Sequence, residues 1–187
     1  MRRKDREMSL EFSLKIIDKS TCGVLSLIDA DGAPYGIPLS IIRDRDNLYF
    51  HSAKQGKKVE ALQNGNPVSI AFVGRVEVPE LYSESQLSAF LEEEHGGKTL
   101  ISKVFTTEFE SAIVLGTVHK VEEESERINA MRLICKKYTP SKMHLFDLAI
   151  ISGMERTAIY RIEIKSVTGK RKQFDTHGEE MKWGRME

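Results

Sequence analysis

The sequence predicts a mainly β protein in which an antiparallel, barrel-like sheet is surrounded by short helices. Short runs rich in β-branched and aromatic residues recur along the 187 residues, and turn-sized clusters of Asp, Asn and Gly separate the first three. Helical spacing of apolar residues appears only in short segments around these runs. The length suggests one domain, and 40% hydrophobic with 30% charged residues excludes disorder as its main state.

The first part of the chain predicts one helix followed by a meander of three strands. Ser9 is a plausible N-cap, and Leu10, Leu14 and Ile17 recur at helical spacing up to about residue 19. Strands are expected over residues 23–28, 34–43 and 48–52, with turns at 29–32 and 44–47. Gaps this short join antiparallel neighbours.

The remainder alternates helices with strands. We expect strands over 68–76, 111–121 and 158–164, and helices over 56–63, 83–96 (opened by a Ser83 capping box), 128–138 and, more weakly, 142–151. From Ser166 onward the chain is polar and charged, with Trp183 as the one aromatic candidate for packing or for capping a pocket. We therefore divide the chain into a barrel domain over 1–170, with a helical insertion at about 80–102, and a charged C-terminal tail over 171–187.

Charge and cysteine content narrow the class of protein. Twenty-eight basic and 28 acidic residues give no net charge, which argues against a nonspecific nucleic-acid binder. Only Cys22 and Cys135 are present, which predicts a reducing cytoplasm. The basic start over residues 1–6 is followed by no apolar run, so no signal peptide is expected. No run approaches the ~20 apolar residues of a membrane span. The histidines lack metal-ligand spacing, so no metal site is expected.

The segment over residues 35–62 carries the most information about a site. Pro38 interrupts a strand pattern, which places that strand at an edge or a bulge and leaves backbone groups for a ligand; an ordinary edge strand is the alternative. Gly56, Lys57 and Lys58 follow a strand and open a helix, a pattern suited to a phosphate, with Ser52 adding a hydroxyl. The alternative is a solvated lysine pair.

His51 ends the strand beside this loop. It is a candidate proton carrier or ligand contact, and a hydrogen-bonded core histidine is the competing interpretation.

Four segments in this order resemble the 5-nitroimidazole-resistance (Nim) flavoproteins of the pyridoxamine 5'-phosphate oxidase-like split-barrel superfamily. They are residues 31–40 (DGAPYGIPLS), 48–53 (LYFHSA), 56–58 (GKK) and 105–111 (FTTEFES). The resemblance covers roughly residues 1–169 and implies an antiparallel, Greek-key-like split β-barrel. It also implies a homodimer with FMN in the groove between the subunits.

Carried over to this chain, the resemblance implies roles for individual residues. Strand backbone of Ile37, Pro38, Leu39 and Ser40 would line the isoalloxazine, and His51, Ser52 and Ala53 would continue under the flavin and the ribityl chain. Gly56, Lys57 and Lys58 would hold the phosphate, and Thr107 and Ser111 would approach from the partner subunit. His51 would be the catalytic residue.

The expected function is that of an FMN-dependent oxidoreductase that reduces small electrophiles such as nitro compounds. Two alternatives stay open: a pyridoxamine 5'-phosphate oxidase-like enzyme, and a non-enzymatic split barrel that binds flavin or haem. The insertion at 80–102 is longer than the resemblance implies. The tail lacks the full arginine-bearing signature of true pyridoxamine phosphate oxidases, which counts against that activity more than against flavin binding.

Overall fold

A computed structural model describes residues 2–92 and 96–183 as eight antiparallel strands with helices packed around them. The strands are β1 (Glu7–Met8), β2 (Gly23–Ile28), β3 (Pro34–Leu39), β4 (Ile42–Asp44), β5 (Asn47–Ala53), β6 (Pro67–Glu77), β7 (Glu108–Lys120) and β8 (Thr157–Lys172). The α-helices are α1 (Leu10–Lys19), α2 (Lys57–Ala61), α3 (Glu84–Ala89), α4 (Gly96–Thr99), α5 (Glu124–Tyr138) and α6 (Phe146–Gly153). Turns of 3-10 helix span Lys4–Arg6, Pro140–Leu145 and Met154–Arg156, and a π-helical turn spans Leu100–Val104.

The strand order is β3-β2-β6-β7-β8-β5-β4, with β1 added beside β8. Every described pairing is antiparallel. The two ends of this order, β3 and β4, follow one another in the chain, and the recorded strand pairings do not join them to each other. The sheet therefore curls without closing, as the predicted split β-barrel does.

The barrel interior forms the main core. Phe50 and Tyr160 stack there with ring centroids 5.2 Å apart, and Leu25, Ile70 and Val114 are fully buried around them. Ile16 and Ile17 from α1 pack into the same core. A second, smaller core joins α5 to the other face of the sheet through Tyr49, Val121, Ala130 and Ile159.

One expected strand is in fact two. The prediction of a single strand over 34–43 is wrong, because β3 ends at Leu39 and β4 begins at Ile42. β3 pairs with β2 whereas β4 pairs with β5, so the chain changes neighbours at Ser40 and Ile41. Ile41 is buried at this crossing, where it fills the core between the two ends of the sheet.

The helix expected from the Ser83 capping box is present but shorter. Ser83 and Gln86 make both capping contacts, and α3 ends at Ala89 rather than continuing to Gly96. Residues 93–95, in the middle of the expected insertion, lie outside the described residues. The weak helix expected over 142–151 is a 3-10 turn that leads into α6.

The C-terminal segment is attached to the barrel. β8 runs to Lys172, well beyond the expected end at residue 164, because β7 and then β1 pair with it. Phe174 is buried and forms an isolated bridge with Glu180, which pairs with Arg6. Trp183 is 66% exposed, so Phe174 is the aromatic residue that packs this segment.

Within residues 2–92 and 96–183, each helix is too short or too polar to cross a bilayer.

Candidate functional site

β5 presents its last residues to two different sides of the sheet. Its side chains alternate, so Phe50 and Ser52 face the barrel interior whereas Tyr49 and His51 face the α5 side. The Ser52 residue is 4% exposed, and its Oγ has no hydrogen-bond partner within the part of the chain that the structure describes. A buried hydroxyl left without a partner costs about 1–3 kcal/mol. Ser52 is therefore a candidate ligand contact.

The imidazole of His51 is reached by solvent on the opposite face from Ser52. Its pKa is lowered, first by partial desolvation of the ring and then by the positive charge of Lys58. The ring is therefore neutral near pH 7, with one nitrogen that donates and one that accepts. Because His51 and Ser52 point in opposite directions, their side chains serve different groups.

The loop after β5 turns at Gly56, whose φ of 110° lies in the region that favours glycine, and α2 begins at the next residue. α2 has only five residues, so a helix-end contribution to anion binding is small here. The candidate anion site rests on the two lysines and on Ser52.

The two lysines have different surroundings. The Nζ of Lys57 lies 2.8 Å from Oδ2 of Asp29 and 5.0 Å from the centre of the Tyr35 ring. The other oxygen of Asp29 accepts hydrogen bonds from the backbone N–H groups of Asp31 and Ala33. The hydrogen bond with Asp29 raises the pKa of Lys57.

Lys58 is half-buried, and desolvation lowers its pKa. Among residues 2–92 and 96–183, no carboxylate pairs with it. It is therefore the cation of this loop that an incoming anion would stabilise most.

Lys57 also links the two segments that form the candidate site, the loop after β5 and the β2–β3 hairpin. β3 and β5 are far apart in the strand order, yet Lys57 follows β5 while Asp29 and Tyr35 belong to the β2–β3 hairpin. Among the described strands β3 lies at one end of the order and pairs with β2 alone, so of the two positions inferred from Pro38, an edge or a bulge, the structure has the edge. On β3, Ile37 and Leu39 pack against the core while Pro38 is exposed.

Ser40 follows β3 and is half-buried. Ala53 ends β5, pairs with Thr157 and is exposed. The residues expected around a flavin from the first half of the chain thus lie on β3, on β5 and on the loop that Lys57 connects to them.

Thr107 and Ser111 lie elsewhere in the chain's own sheet. Thr107 is exposed just before β7, and Ser111 lies on the outer face of β7 between Val73 and Lys170. β8 separates β7 from β5, so one chain does not bring Thr107 and Ser111 to His51. Their predicted contact with a flavin requires a second copy.

The outer face of the sheet was missed by the reasoning from sequence. Ten uncharged residues form two rows across five strands: Gly36, Ser26, Ser69, Leu115 and Ser166, and Pro38, Val24, Ala71, Ile113 and Thr168. Leu115 is 50% exposed, and a cavity of about 610 Å³ reaches from this leucine to Ile28 and Pro34. The alternation of inward and outward side chains along each strand was the available signal, but the small residues in the two rows made the outward face hard to recognise as apolar.

A metal centre has no counterpart in the described residues, which contain no group of three or more His, Cys, Asp or Glu side chains able to hold an ion.

Comparison with known proteins agrees with the fold. The family "Pyridoxamine 5'-phosphate oxidase" matches residues 10–88, which include the candidate site on β3, β5 and α2. No curated protein matches the chain.

Solved structures extend the similarity over most of the chain. A putative 5-nitroimidazole antibiotic resistance protein from Bacteroides thetaiotaomicron is 20% identical, with 88% of this chain and 86% of that chain covered and a TM-score of 0.65. The FAD binding protein from Mycobacterium smegmatis is 16% identical over 90% and 99%, with a TM-score of 0.59. The FAD and heme binding protein from the same organism is 16% identical over 89% and 73%, with a TM-score of 0.64. At these identities the similarity shows a shared split-barrel fold.

Proposed function

We propose that this protein is an FMN-binding homodimer that reduces small electrophiles, of which nitro compounds are the most concrete class. One observation carries the proposal: among the residues that the structure describes, the buried Ser52 hydroxyl on β5 has no hydrogen-bond partner, and the desolvated Lys58 on the following loop has no carboxylate beside it. A phosphate carries about −1.5 to −2 charges and three acceptor oxygens, which suits both groups. The neighbours named for FAD binding support a flavin as the class of ligand.

Different residues of β3, β5 and the loop after β5 contact different parts of FMN. Lys58 contacts the phosphate, and the Ser52 hydroxyl donates a hydrogen bond to the cofactor. Gly56 lets the backbone approach the phosphate closely. The free edge of β3 offers backbone groups of Ile37, Pro38 and Leu39, with Ser40 beyond them. Lys57, tied to Asp29, fixes the loop against the hairpin and is the weaker phosphate contact.

FMN, when bound, supplies the transfer of a hydride or of single electrons. The neutral ring of His51 orients the substrate through a hydrogen bond; solvent reaches the ring, so it can take up a proton and, as the imidazolium, pass that proton to the substrate. Ala53, exposed beside it, leaves room along the strand end.

A second copy completes the site in this proposal. The uncharged rows on the outer face are typical of a surface that another protein surface covers. A partner seated there contributes Thr107 and Ser111 to the flavin, which a single chain does not do. The small substrate then reaches the flavin between the two subunits.

The absorption spectrum of the purified protein, titrated with FMN, FAD and haemin, tests the proposal. We expect flavin bands in the blue and near ultraviolet, and FMN binding at least as tight as FAD binding. Photochemically reduced protein should then pass its electrons to a nitroaromatic compound, which bleaches as the flavin is reoxidised, and a continuous supply of an external reductant should make this reaction catalytic. A protein that takes up neither flavin contradicts the proposal.

Two other outcomes identify the alternatives. Oxygen-dependent formation of pyridoxal phosphate would identify a pyridoxamine 5'-phosphate oxidase-like enzyme. A Soret band, or bound flavin, without turnover of any acceptor would identify a non-enzymatic binding protein.

A further inference from the structure

Arg171 is a buried positive charge that forms no ion pair with the carboxylates of residues 2–92 and 96–183. It lies near the end of β8, at the opposite end from the residues that pair with His51 and Ser52. The residue is 9% exposed, and its Nε and Nη2 make no hydrogen bond within the described ranges 2–92 and 96–183. The ring of Phe12, on α1, packs 5.1 Å from the guanidinium carbon. Burying an unpaired charge is costly, so this position suits an anion.

Two carboxylates, Glu108 and Glu110, line the void beside Arg171, and neither is recorded as its ion-pair partner. Glu108 accepts a hydrogen bond from the backbone N–H of Phe174 and lies 3.8 Å from Arg75. Glu110 lies opposite Arg171 in the β7–β8 register and therefore on the same face. Its side chain lies against Gly74 on β6 instead, since a Cβ placed on Gly74 would be 3.0 Å from Glu110 Oε2. β7 runs between β6 and β8, so this conformation turns the carboxylate away from Arg171.

A cleft of about 460 Å³ opens beside this group, between α1 and the bulged part of β6. Its apolar wall is made of Phe12, Ile16 and Val73. A void of about 10 Å³ next to Arg171 shares Arg75 and Glu110 with the cleft, so these two side chains stand between the guanidinium and the cleft. Both are partly exposed, and side-chain rotation of such residues is fast.

The free donors of Arg171 identify the class of ligand. Nε and Nη2 form one edge of the guanidinium, and that edge binds the two oxygens of a carboxylate in parallel. This protein uses the same edge twice elsewhere: Arg43 donates to both oxygens of Asp18 at 2.9 and 2.6 Å, and Arg3 binds Asp5 in the same way.

We propose that the cleft binds a small organic carboxylate with an aromatic or branched apolar body. The carboxylate accepts hydrogen bonds from Nε and Nη2 of Arg171, and the apolar body packs on Phe12, Ile16 and Val73. The site shares no residue with the proposed flavin site, although Val73 lies opposite Ser111 on the neighbouring strand.

Calorimetric titration of the full-length protein with benzoate and with benzamide tests this proposal. The two probes share a shape and differ in charge. We expect benzoate to bind at least tenfold more tightly than benzamide, and Arg171→Met to abolish that preference. Arg132→Met is the matched control, because Arg132 also packs on a phenylalanine ring, that of Phe146, but pairs with Asp147 on the surface. It should leave the preference unchanged.

Two further readouts separate a binding role from a structural one. Without ligand, Arg171→Met should melt no lower than the wild type, because it removes an uncompensated buried charge; benzoate should raise the melting temperature of the wild type only. Gly74→Ala, whose methyl group would crowd the Glu110 side chain at 3.0 Å, should change benzoate affinity severalfold; an unchanged affinity would count against the proposal, so the test stays available if Arg171→Met does not fold.

Equal affinity for benzoate and benzamide, no benzoate binding to the wild type, or an unchanged preference in Arg171→Met overturns the proposal. So does a benzoate-induced change in the bound flavin's spectrum that Arg171→Met leaves intact. An absent flavin spectrum with a preserved benzoate preference, by contrast, counts only against the proposed function.

Discussion

The ammonium nitrogen of Lys57 lies 2.8 Å from Oδ2 of Asp29, whereas the adjacent Lys58 is half-buried and has no carboxylate beside it among the described residues. The two adjacent lysines therefore have different electrostatic surroundings. Asp29 already balances one of them, and desolvation makes the charge of the other costly.

Lys58→Ala should weaken FMN binding by about 10- to 100-fold, the worth of one charge-assisted hydrogen bond of about 1.5–3 kcal/mol. Lys57→Ala should weaken it less, because its ammonium stays shared with Asp29. Fluorescence quenching of FMN measures both, and Lys54→Ala, an exposed lysine on the same loop, is the control. If the Lys57 variant loses as much affinity as the Lys58 variant, the division of roles is wrong.

The Asp29–Lys57 pair should show in the acid stability of the protein. The hydrogen bond from Lys57, together with that from the backbone N–H of Ala33, lowers the pKa of Asp29 below its ordinary 3.8. An acid with a lowered folded-state pKa stabilises the protein above the unfolded value and loses that contribution as the pH falls through the folded value.

Asp29→Asn should therefore be less stable than the wild type at neutral pH, and the difference should shrink below about pH 4. Urea unfolding across pH 2–7 measures it. Asp31→Asn, in the same turn, is the control because the Asp31 side chain is exposed. A difference that stays constant down to pH 2 would show that the Asp29 charge contributes nothing.

The meander and most helices are predictable because turn residues and apolar spacing act locally. The break between β3 and β4 is not, since Ser40 and Ile41 carry no turn signal and the chain changes partner strands there for tertiary reasons. The length of β8 depends likewise on β7 and β1 beside it, which let a polar sequence continue as a strand.

The candidate site divides in the same way. The opposite directions of His51 and Ser52 follow from strand alternation and are foreseeable. The different surroundings of Lys57 and Lys58 depend on Asp29, a turn residue far away in sequence, and no local pattern reports that contact.

His51→Ala should keep FMN and lose turnover. The imidazole lies on the opposite face of β5 from Ser52, so its removal leaves Ser52 and Lys58, the proposed phosphate contacts, in place. General acid catalysis contributes about 10²–10⁴-fold, and we expect a loss of kcat in that range for nitro reduction, with unchanged FMN affinity. Full activity in this variant would reduce His51 to a structural residue, and lost FMN binding would make it a cofactor ligand instead.

The pKa of His51 is a separate measurement of its surroundings. Desolvation and Lys58 place it below the ordinary 6.5, so unfolding takes up a proton between the two values and stability falls as the pH drops through that window. An NMR titration of the ring protons should show this lowered pKa, and Lys58→Met should raise it part of the way back. Lys57→Met, whose charge Asp29 compensates, is the matched control and should leave it in place. A His51 pKa at or above 6.5 in the wild type would contradict the described environment.

Leu115→Glu should separate the proposed homodimer. Leu115 is 50% exposed and is the largest side chain in an uncharged row over five strands, so a carboxylate there would be desolvated in the proposed dimer. Light scattering should give twice 21.2 kDa for the wild type and the single mass for the variant. FMN affinity should fall with the dimer, because Thr107 and Ser111 reach a flavin only from the other copy. Ile151→Glu, on the 80% exposed Ile151 of α6, is the control and should remain dimeric. A wild type that is monomeric while it holds FMN would remove the second copy from the site and leave Thr107 and Ser111 without a role there.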